Sequence, residues 1–333
     1  MLKTVKWIAL LCIVAFAGVF SNFYLGVMRV ESEWLGDIEK ETNVIQDIGS
    51  TQRLTITPLI NWHTSSESLK TEAGVSYLIE TDDTTILFDV GYNKDWESPS
   101  PLEFNMNQLG IRLDDIDAVF ISHAHLDHNG GQTWVNRGTF SLGVEPPDLS
   151  TKKLYAPVPM TYPGTPVQLI KEPTVIAKGV ASFGAISRQL FIGHIEEQGL
   201  VIHVENLGLI AIVGCGHQTV PKILTRINSA FSQPLYGLVG DLHYPVPEGR
   251  IVKLGLNMQR LLASGDGPLQ PITWQSMEKD IALLKRSGLK MIALGGHDTS
   301  DDAIERFAGA FGKGYAHVRV GEPITITHDE STQ

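Results

Sequence analysis

The sequence is most informative at ISHAHLDHNGG, residues 121–131, where three histidines and one aspartate fall within six positions. The composition of the residues just before this stretch predicts a buried strand. Side chains two residues apart just past a strand can point the same way, so His123 and His125 can present their imidazoles to one ion. Asp127 and His128 would face a neighbouring position. The spacing therefore predicts a metal site built from histidine and carboxylate side chains.

Other side chains able to bind a metal also follow predicted apolar strands. His217 and His297 each follow one such strand, and Asp241 and His243 both follow another. A thiolate ligand is also conceivable at Cys215, but its place in a strand-end turn favours a buried, inert thiol. The sequence therefore offers several further ligands without a cysteine cluster.

The order of the predicted elements indicates the fold. Short apolar and β-branched runs begin near residue 54, and a second strand-rich region begins at residue 200 and alternates with helices. This order predicts an α/β fold with two packed sheets and helices outside, a four-layer αββα sandwich. We expect one catalytic domain over residues 53–333. Residues 138–198 and 245–272 are rich in Pro and Gly, which is typical of lids, substrate walls or plain surface insertions.

The N-terminal residues 1–30 are predicted to be a signal anchor or a signal peptide. Residues 7–28 carry no charge and are long enough, as a helix, to cross a bilayer. Lys3 and Lys6 precede this run and acidic residues follow it, which predicts a membrane-anchored protein with an extracytoplasmic catalytic domain. The alternative is secretion after signal cleavage. Residues 31–52 are polar and acidic and are predicted to be a linker.

The charge balance limits the partners. The chain has 26 Lys plus Arg against 37 Asp plus Glu, a formal charge of −11, and no run of basic residues. This balance disfavours nucleic acid as a bulk ligand. We expect a small-molecule or lipid substrate.

The residues quoted above resemble the metallo-β-lactamase superfamily, whose hallmark is His-x-His-x-Asp-His between a strand and a helix. ILFDVG at residues 86–91 is similar to the strand-Asp-x-Gly element of that superfamily, and later ligand positions follow in the expected order at residues 214–217, 240–241 and 295–297. Within the superfamily, the chain is most similar to the branch of 7,8-dihydropterin-6-methyl-4-(β-D-ribofuranosyl)-aminobenzene-5′-phosphate synthase. The shared features include EAGVS at residues 72–76.

Three departures separate the chain from that branch. GDLH at residues 240–243 replaces the usual GGFH, and HDTS at residues 297–300 replaces HCTG. FGAI at residues 183–186 replaces TGEI and lacks the carboxylate. The resemblance therefore extends to the metal site and not to the named substrate.

The resemblance implies two divalent metal ions, with zinc the first choice and manganese or iron the alternatives. It assigns one ion to His123, His125 and His217, the other to Asp127, His128 and His297, and a bridging role to Asp241. His243 is the competing ligand, or else a catalytic group that contacts substrate or transfers a proton. Asp89 is expected to accept the second N–H of a ligating imidazole or to cap a turn.

These assignments predict a dinuclear metal-dependent hydrolase of an ester, lactone, amide or phosphodiester. Two nearby ions lower the pKa of a shared water from 15.7 toward about 7, and the metal-bound hydroxide is the nucleophile. Asp127 would orient that water or accept its proton. The alternatives are a mononuclear-iron sulfur dioxygenase on the same fold, a pterin-linked synthase-like enzyme, and a non-catalytic binding protein, in which we would expect damaged ligands.

Overall fold

The computed structural model describes residues 2–40 and 44–328 of the chain. Helices and strands alternate through most of this length. The helices are α1 Leu2–Lys40, α2 Pro101–Gln108, α3 Gln132–Asn136, α4 Val220–Ala230, α5 Met258–Leu262, α6 Trp274–Arg286 and α7 Asp301–Phe311. The strands are β1 Arg53–Ile60, β2 Ser76–Glu80, β3 Thr85–Phe88, β4 Ala118–Phe120, β5 Lys153–Ala156, β6 Val167–Leu169, β7 Thr174–Ala177, β8 Val180–Ser182, β9 Ile186–Leu190, β10 Gly193–Glu197, β11 Leu200–Val204, β12 Gly208–Val213, β13 Leu235–Gly240, β14 Val252–Lys253, β15 Leu256–Asn257, β16 Met291–Leu294, β17 Tyr315–His317 and β18 Ile324–Thr327.

The strands form two large sheets, as the sequence predicted. The first sheet has the order β18-β1-β2-β3-β4-β5-β6, and the second has the order β17-β16-β13-β12-β11-β8-β7. Neighbouring strands are parallel from β3 to β6 in the first sheet and from β12 through β13 and β16 to β17 in the second. Parallel strands end at the same edge of a sheet, so the loops that follow β12, β13 and β16 lie side by side.

One buried core cluster lies between the two sheets. Tyr77, Phe88 and Phe120 of the first sheet are buried in one row, with successive ring centroids 6.0 and 5.4 Å apart. They belong to the same buried cluster as Ile210 and Val239 of the second sheet. The outer faces are covered by helices, with α4, α6 and α7 packed on the second sheet and α2 on the first.

Strand β12 shows why these residues form the centre of a sheet. All six of its residues, Gly208–Val213, are buried, and its sequence GLIAIV carries apolar side chains on both faces. A strand that is covered on both faces has no polar alternation, which distinguishes it from a strand at the protein surface.

Residues 138–198 are more regular than their Pro and Gly content predicted. They contain the six strands β5 to β10, of which β9 and β10 form a separate two-stranded ribbon. Each of these strands has only three to five residues, which is too short to show a clear sequence period.

The predicted membrane segment is wrong. In the part of the chain that the structure describes, no helix has the length and apolar character needed to cross a membrane. The second half of α1 packs on the domain instead, where Phe23, Val30 and Trp34 are buried and the Phe20 and Phe23 rings both lie 5.3 Å from the Phe191 ring. This finding contradicts the predicted anchor and the localisation that depended on it.

The predicted linker is also structured where it is described. Residues 31–40 continue α1, and beyond residues 41–43, which lie outside the described residues, the chain forms single bridges from Ile45 to Phe231 and from Thr51 to Val204. These contacts attach the segment to the end of α4 and to β11 of the second sheet, so it is not a free stalk.

We predict that Gly130→Ala destabilises the fold by more than about 1 kcal/mol. Gly130 has a φ of +82°, and an added Cβ would lie 2.1 Å from the carbonyl oxygen of Ser141. The matched control is Gly309→Ala on the exposed face of α7, where a Cβ meets no atom within 4 Å and should stabilise the helix by about 0.5–1 kcal/mol. Urea unfolding followed by circular dichroism measures both effects. Equal stability of the two variants would contradict this account.

Candidate metal centre

The predicted site residues come from loops that meet at one end of the two sheets. The loop after β4 of the first sheet carries His123 to His128, and the loops after β12, β13 and β16 of the second sheet carry His217, His243 and His297. The strands before these loops are short, buried and apolar, so each loop begins at a fixed position.

Three histidines form the first group of potential ligands. One ring nitrogen from each of His123, His125 and His217 lies within 4.8 Å of the other two. His123 Nε2 is 3.2 Å from His125 Nδ1, while His123 Nδ1 is 2.9 Å from Ser122 Oγ. Burial holds the pKa of His123 and of His217 well below the usual value, which favours the neutral imidazole that binds metals.

Asp127, His128 and His297 form the second group. Their ligand atoms also lie within 4.8 Å of one another, and His297 Nε2 is 3.2 Å from Asp127 Oδ2. Burial disfavours the charged imidazole of His297, but Asp298 and Asp127 outweigh this effect and raise the pKa of His297 to about 10. The carboxylates thus favour positive charge at this position, and a metal bound there would displace the proton.

Asp89 orients His128. Its Oδ2 accepts hydrogen bonds from His128 Nδ1 and from Ser122 Oγ, both at 2.7 Å, and its Oδ1 accepts one from the Ser122 backbone N–H at 2.7 Å. These bonds leave His128 Nε2 facing the other potential ligands. Asp89 therefore makes the contact that the sequence analysis expected of it.

The structure brings His243 into the cluster and leaves Asp241 beside it. His243 forms a group with His217 and Asp298, and its Nδ1 lies 3.1 Å from Asp298 Oδ2. Asp241 belongs to none of the groups found among the described residues. Its carboxylate is buried and turned toward Asn61, whose Nδ2 lies 3.5 Å from Asp241 Oδ2. Its other oxygen, Oδ1, is buried without a hydrogen-bond partner among the described residues, and the bridging role of Asp241 stays a prediction.

Asp298 is a potential ligand that the sequence analysis did not assign. Its Oδ2 lies 3.4 Å from His297 Nε2, and its Oδ1 accepts a 2.5 Å hydrogen bond from Gln259 of α5. The signal was present in the sequence, because HDTS places a carboxylate directly after the predicted ligand His297.

Cys215 lies among the potential ligands as well. The thiol is buried as expected, but its Sγ lies 3.0 Å from His128 Nε2 and 3.0 Å from Asp298 Oδ2. Burial and the nearby carboxylates raise the pKa of this thiol, and a bound cation would act in the opposite direction. The expectation of an inert side chain overlooked these contacts, which come from distant segments.

Glu197 holds the turn that carries His217. Its carboxylate accepts hydrogen bonds from the backbone N–H groups of Cys215, Gly216 and His217 at 3.0, 2.9 and 2.8 Å. The side chain is fully buried, and burial raises its pKa to about 7. The sequence analysis did not single out Glu197. The feature that could have identified it is an acidic residue at the end of β10, shortly before the apolar strand β11.

The buried polar atoms of the cluster fit a metal. Among the described residues, both ring nitrogens of His217 and Oδ1 of Asp127 are buried without a hydrogen-bond partner. Buried polar atoms in folded proteins normally have a hydrogen-bond partner. A bound cation would take the place of that partner for a lone pair of His217 and for the Asp127 oxygen. Imidazole and carboxylate ligands suit zinc, manganese or iron.

A cavity of about 40 Å³ adjoins the cluster. Its lining includes His217 and His243 together with Ala263, Ser264 and Ile272. The last three residues belong to the segment 245–272, which was predicted to be a lid, a substrate wall or a plain surface insertion.

Comparisons with known proteins give a family match and a structural likeness. Residues 69–228 match the family model of the metallo-beta-lactamase superfamily. That stretch of the chain carries a metallo-beta-lactamase superfamily domain. The solved structure of a metal-dependent hydrolase of the beta-lactamase superfamily aligns with 82% of this chain and 99% of its own, with a TM-score of 0.55 and 19% identity. This likeness confirms the metallo-beta-lactamase fold.

Two curated relatives match different shares of this chain and of their own lengths. A 7,8-dihydropterin-6-methyl-4-(beta-D-ribofuranosyl)-aminobenzene-5′-phosphate synthase of Methanocaldococcus jannaschii is 22% identical over 296 residues, which covers 75% of this chain and 89% of the synthase. The transcription termination factor FttA of Cenarchaeum symbiosum is 47% identical over 53 residues, which covers 16% of this chain and 8% of the factor. The chain is therefore similar to most of the synthase and to a small part of FttA.

We predict that Asp89→Asn weakens metal binding about 10- to 100-fold, because an amide holds the His128 imidazole less firmly than a carboxylate does. Asp83→Asn, at an exposed turn where Asp83 pairs with Lys178, is the matched control and should leave affinity unchanged. Competition with a chromophoric chelator measures both affinities. Equal affinities in the two variants would show that Asp89 has no influence on the centre.

Proposed function

We propose that this protein is a hydrolase that uses two divalent metal ions to cleave an ester, lactone, amide or phosphodiester bond in a small molecule. The observation that carries the proposal is the adjacency of two complete triads of potential ligands. The rings of His123 and His128, one from each triad, have centroids 4.0 Å apart. Two ions held by these triads would be close enough to act on one substrate.

The proposed ligand assignment follows the triads. His123, His125 and His217 would hold one ion, and Asp127, His128 and His297 would hold the other. When bound, such ions make water nucleophilic near neutral pH and polarise the bond that is cleaved.

The surrounding side chains have separate tasks in this proposal. Asp127 has a buried oxygen, Oδ1, without a hydrogen-bond partner among the described residues, and this oxygen can accept the proton of the attacking water. His243 lines the cavity and is placed to contact substrate or to transfer a proton. Asp89 fixes the ring of His128, and Glu197 fixes the backbone that presents His217.

The completeness of both triads supports a dinuclear hydrolase over the alternatives. A mononuclear-iron dioxygenase needs only one triad, and a non-catalytic binding protein needs neither, yet the ligand atoms of each triad lie within 4.8 Å of one another. A pterin-linked substrate has weaker support because the chain departs from the synthase-like branch at residues 183–186, 240–243 and 297–300. A lipid substrate was expected from the charge balance alone, and with the predicted membrane anchor contradicted, nothing further favours it over a small molecule.

The acidic charge balance supports a ligand other than nucleic acid. The formal charge is −11, and binding to phosphate backbones needs clustered positive charge. The similarity to FttA covers 8% of that factor and gives no support for its activity here.

We predict that His123→Ala lowers the bound metal from two ions per chain to at most one and reduces hydrolysis by more than about 100-fold, since losing a ligand costs at least as much as losing its supporting contact. His194→Ala, on the exposed side of β10, is the matched control and should retain both properties. Elemental analysis and a panel of lactone, phosphodiester and thioester substrates measure the two effects.

Two results would contradict the proposed function. Full hydrolysis by His123→Ala would remove His123 from the ligand set. One iron per wild-type chain together with oxygen consumption would establish the dioxygenase instead.

A further inference from the structure

The thiol of Cys215 and the imidazole of His128 point into the same space. Cys215 Sγ lies 3.0 Å from His128 Nε2, and the other ring nitrogen of His128 is already bonded to Asp89 at 2.7 Å. Nε2 is therefore the nitrogen that His128 can offer to an ion. An ion that binds there would have the Cys215 sulfur as an immediate neighbour.

Cys215 also connects the two triads. Its Sγ forms one group with His123 and His128 and another with His297 and Asp298, and the ligand atoms in each group lie within 4.8 Å of one another. His123 belongs to the first triad, whereas His128 and His297 belong to the second. The sulfur thus lies at the border between the two proposed ion positions.

Independent polar atoms point to a ligand at this place. His217 and His297 are 5% and 3% exposed, and neither has a ring nitrogen with satisfactory hydrogen-bond geometry among the described residues. Buried imidazoles without hydrogen-bond partners in both triads, with a buried thiol at their border, fit a metal centre in which each ion would bind one of these imidazoles.

The backbone fixes the thiol in this position. Glu197 accepts the N–H of Cys215 together with those of the next two residues, so the turn after β12 is held at three points. Gly216 has a φ of +75°, and a Cβ there would lie 2.7 Å from the Asp241 carbonyl oxygen. This tight turn presents Cys215 and His217 to the same cluster.

Bond lengths are compatible with coordination by Cys215. Zinc binds thiolate sulfur at about 2.3 Å and imidazole nitrogen at about 2.0–2.1 Å, so two such donors on one tetrahedral ion lie about 3.5 Å apart. The observed Sγ to Nε2 separation of 3.0 Å needs only a small widening. A thiolate is a soft donor and favours zinc over manganese.

We infer that Cys215 is a thiolate ligand of the metal centre and that the centre consequently selects zinc over manganese. The inference rests on the proposed function, because it requires a metal centre at this cluster. It goes beyond that function by adding a sulfur ligand and by fixing the metal class.

Cobalt substitution tests the inference with a readout that does not depend on activity. Cobalt(II) added to the metal-free full-length chain gives a sulfur-to-cobalt charge-transfer band in the near ultraviolet only when a thiolate is bound. The sequence contains two cysteines, so Cys12→Ser is the matched control for Cys215→Ser. We expect the band in the wild type and in Cys12→Ser and its loss in Cys215→Ser, with bound cobalt measured in each protein.

A metal competition provides the second measurement. The preference of the wild type for zinc over manganese should fall at least about tenfold in Cys215→Ser. If that variant does not fold, X-ray absorption at the zinc edge of the wild type decides the question, because a sulfur ligand gives a shell at about 2.3 Å.

The outcomes separate this inference from the proposed function. Stoichiometric cobalt binding without the band, a band that survives in Cys215→Ser, or a zinc shell without sulfur would overturn the role of Cys215 and leave the hydrolase proposal intact. Failure of the wild type to bind cobalt or zinc would overturn both.

Discussion

Imidazoles and carboxylates that are removed from water need partners of suitable charge, and this requirement governs one end of the two sheets. Six histidines and several carboxylates meet there with little exposure to solvent, among them His123, His217 and Asp298. Burial alone would make such a cluster unfavourable, because each unsatisfied polar atom loses its hydration. A bound cation offsets that cost for several side chains at once, so the fold and the metal centre are energetically linked.

The two sheets supply the cluster because their strands end at the same place. The short strand β4 delivers the first loop, and the parallel strands β12, β13 and β16 deliver the others. Two buried carboxylates then fix the loops from behind. Asp89 binds the ring of His128, and Glu197 binds the backbone before His217, so neither potential ligand depends on exposed contacts. Such support is what holds a catalytic geometry in place.

The sequence predicted the parts of this arrangement that depend on local pattern. The spacing in HAHLDH and the apolar strands before His217 and His297 were sufficient to predict a metal site and two packed sheets. The contacts of Cys215 could not be predicted in this way, because its thiol meets His128 and Asp298, which are 87 and 83 residues away in the chain. The prediction of a membrane segment in α1 was wrong for a related reason. An apolar run looks the same in sequence whether it faces lipid or packs against Phe191 of the domain.

The central claim is that the two triads hold two ions side by side. Anomalous diffraction recorded above and below the zinc edge, from crystals of the zinc-loaded full-length protein, tests it most directly. The account predicts two anomalous peaks, one bordered by His123, His125 and His217 and the other by Asp127, His128 and His297. A single peak at full zinc loading, or two peaks away from these residues, would contradict it.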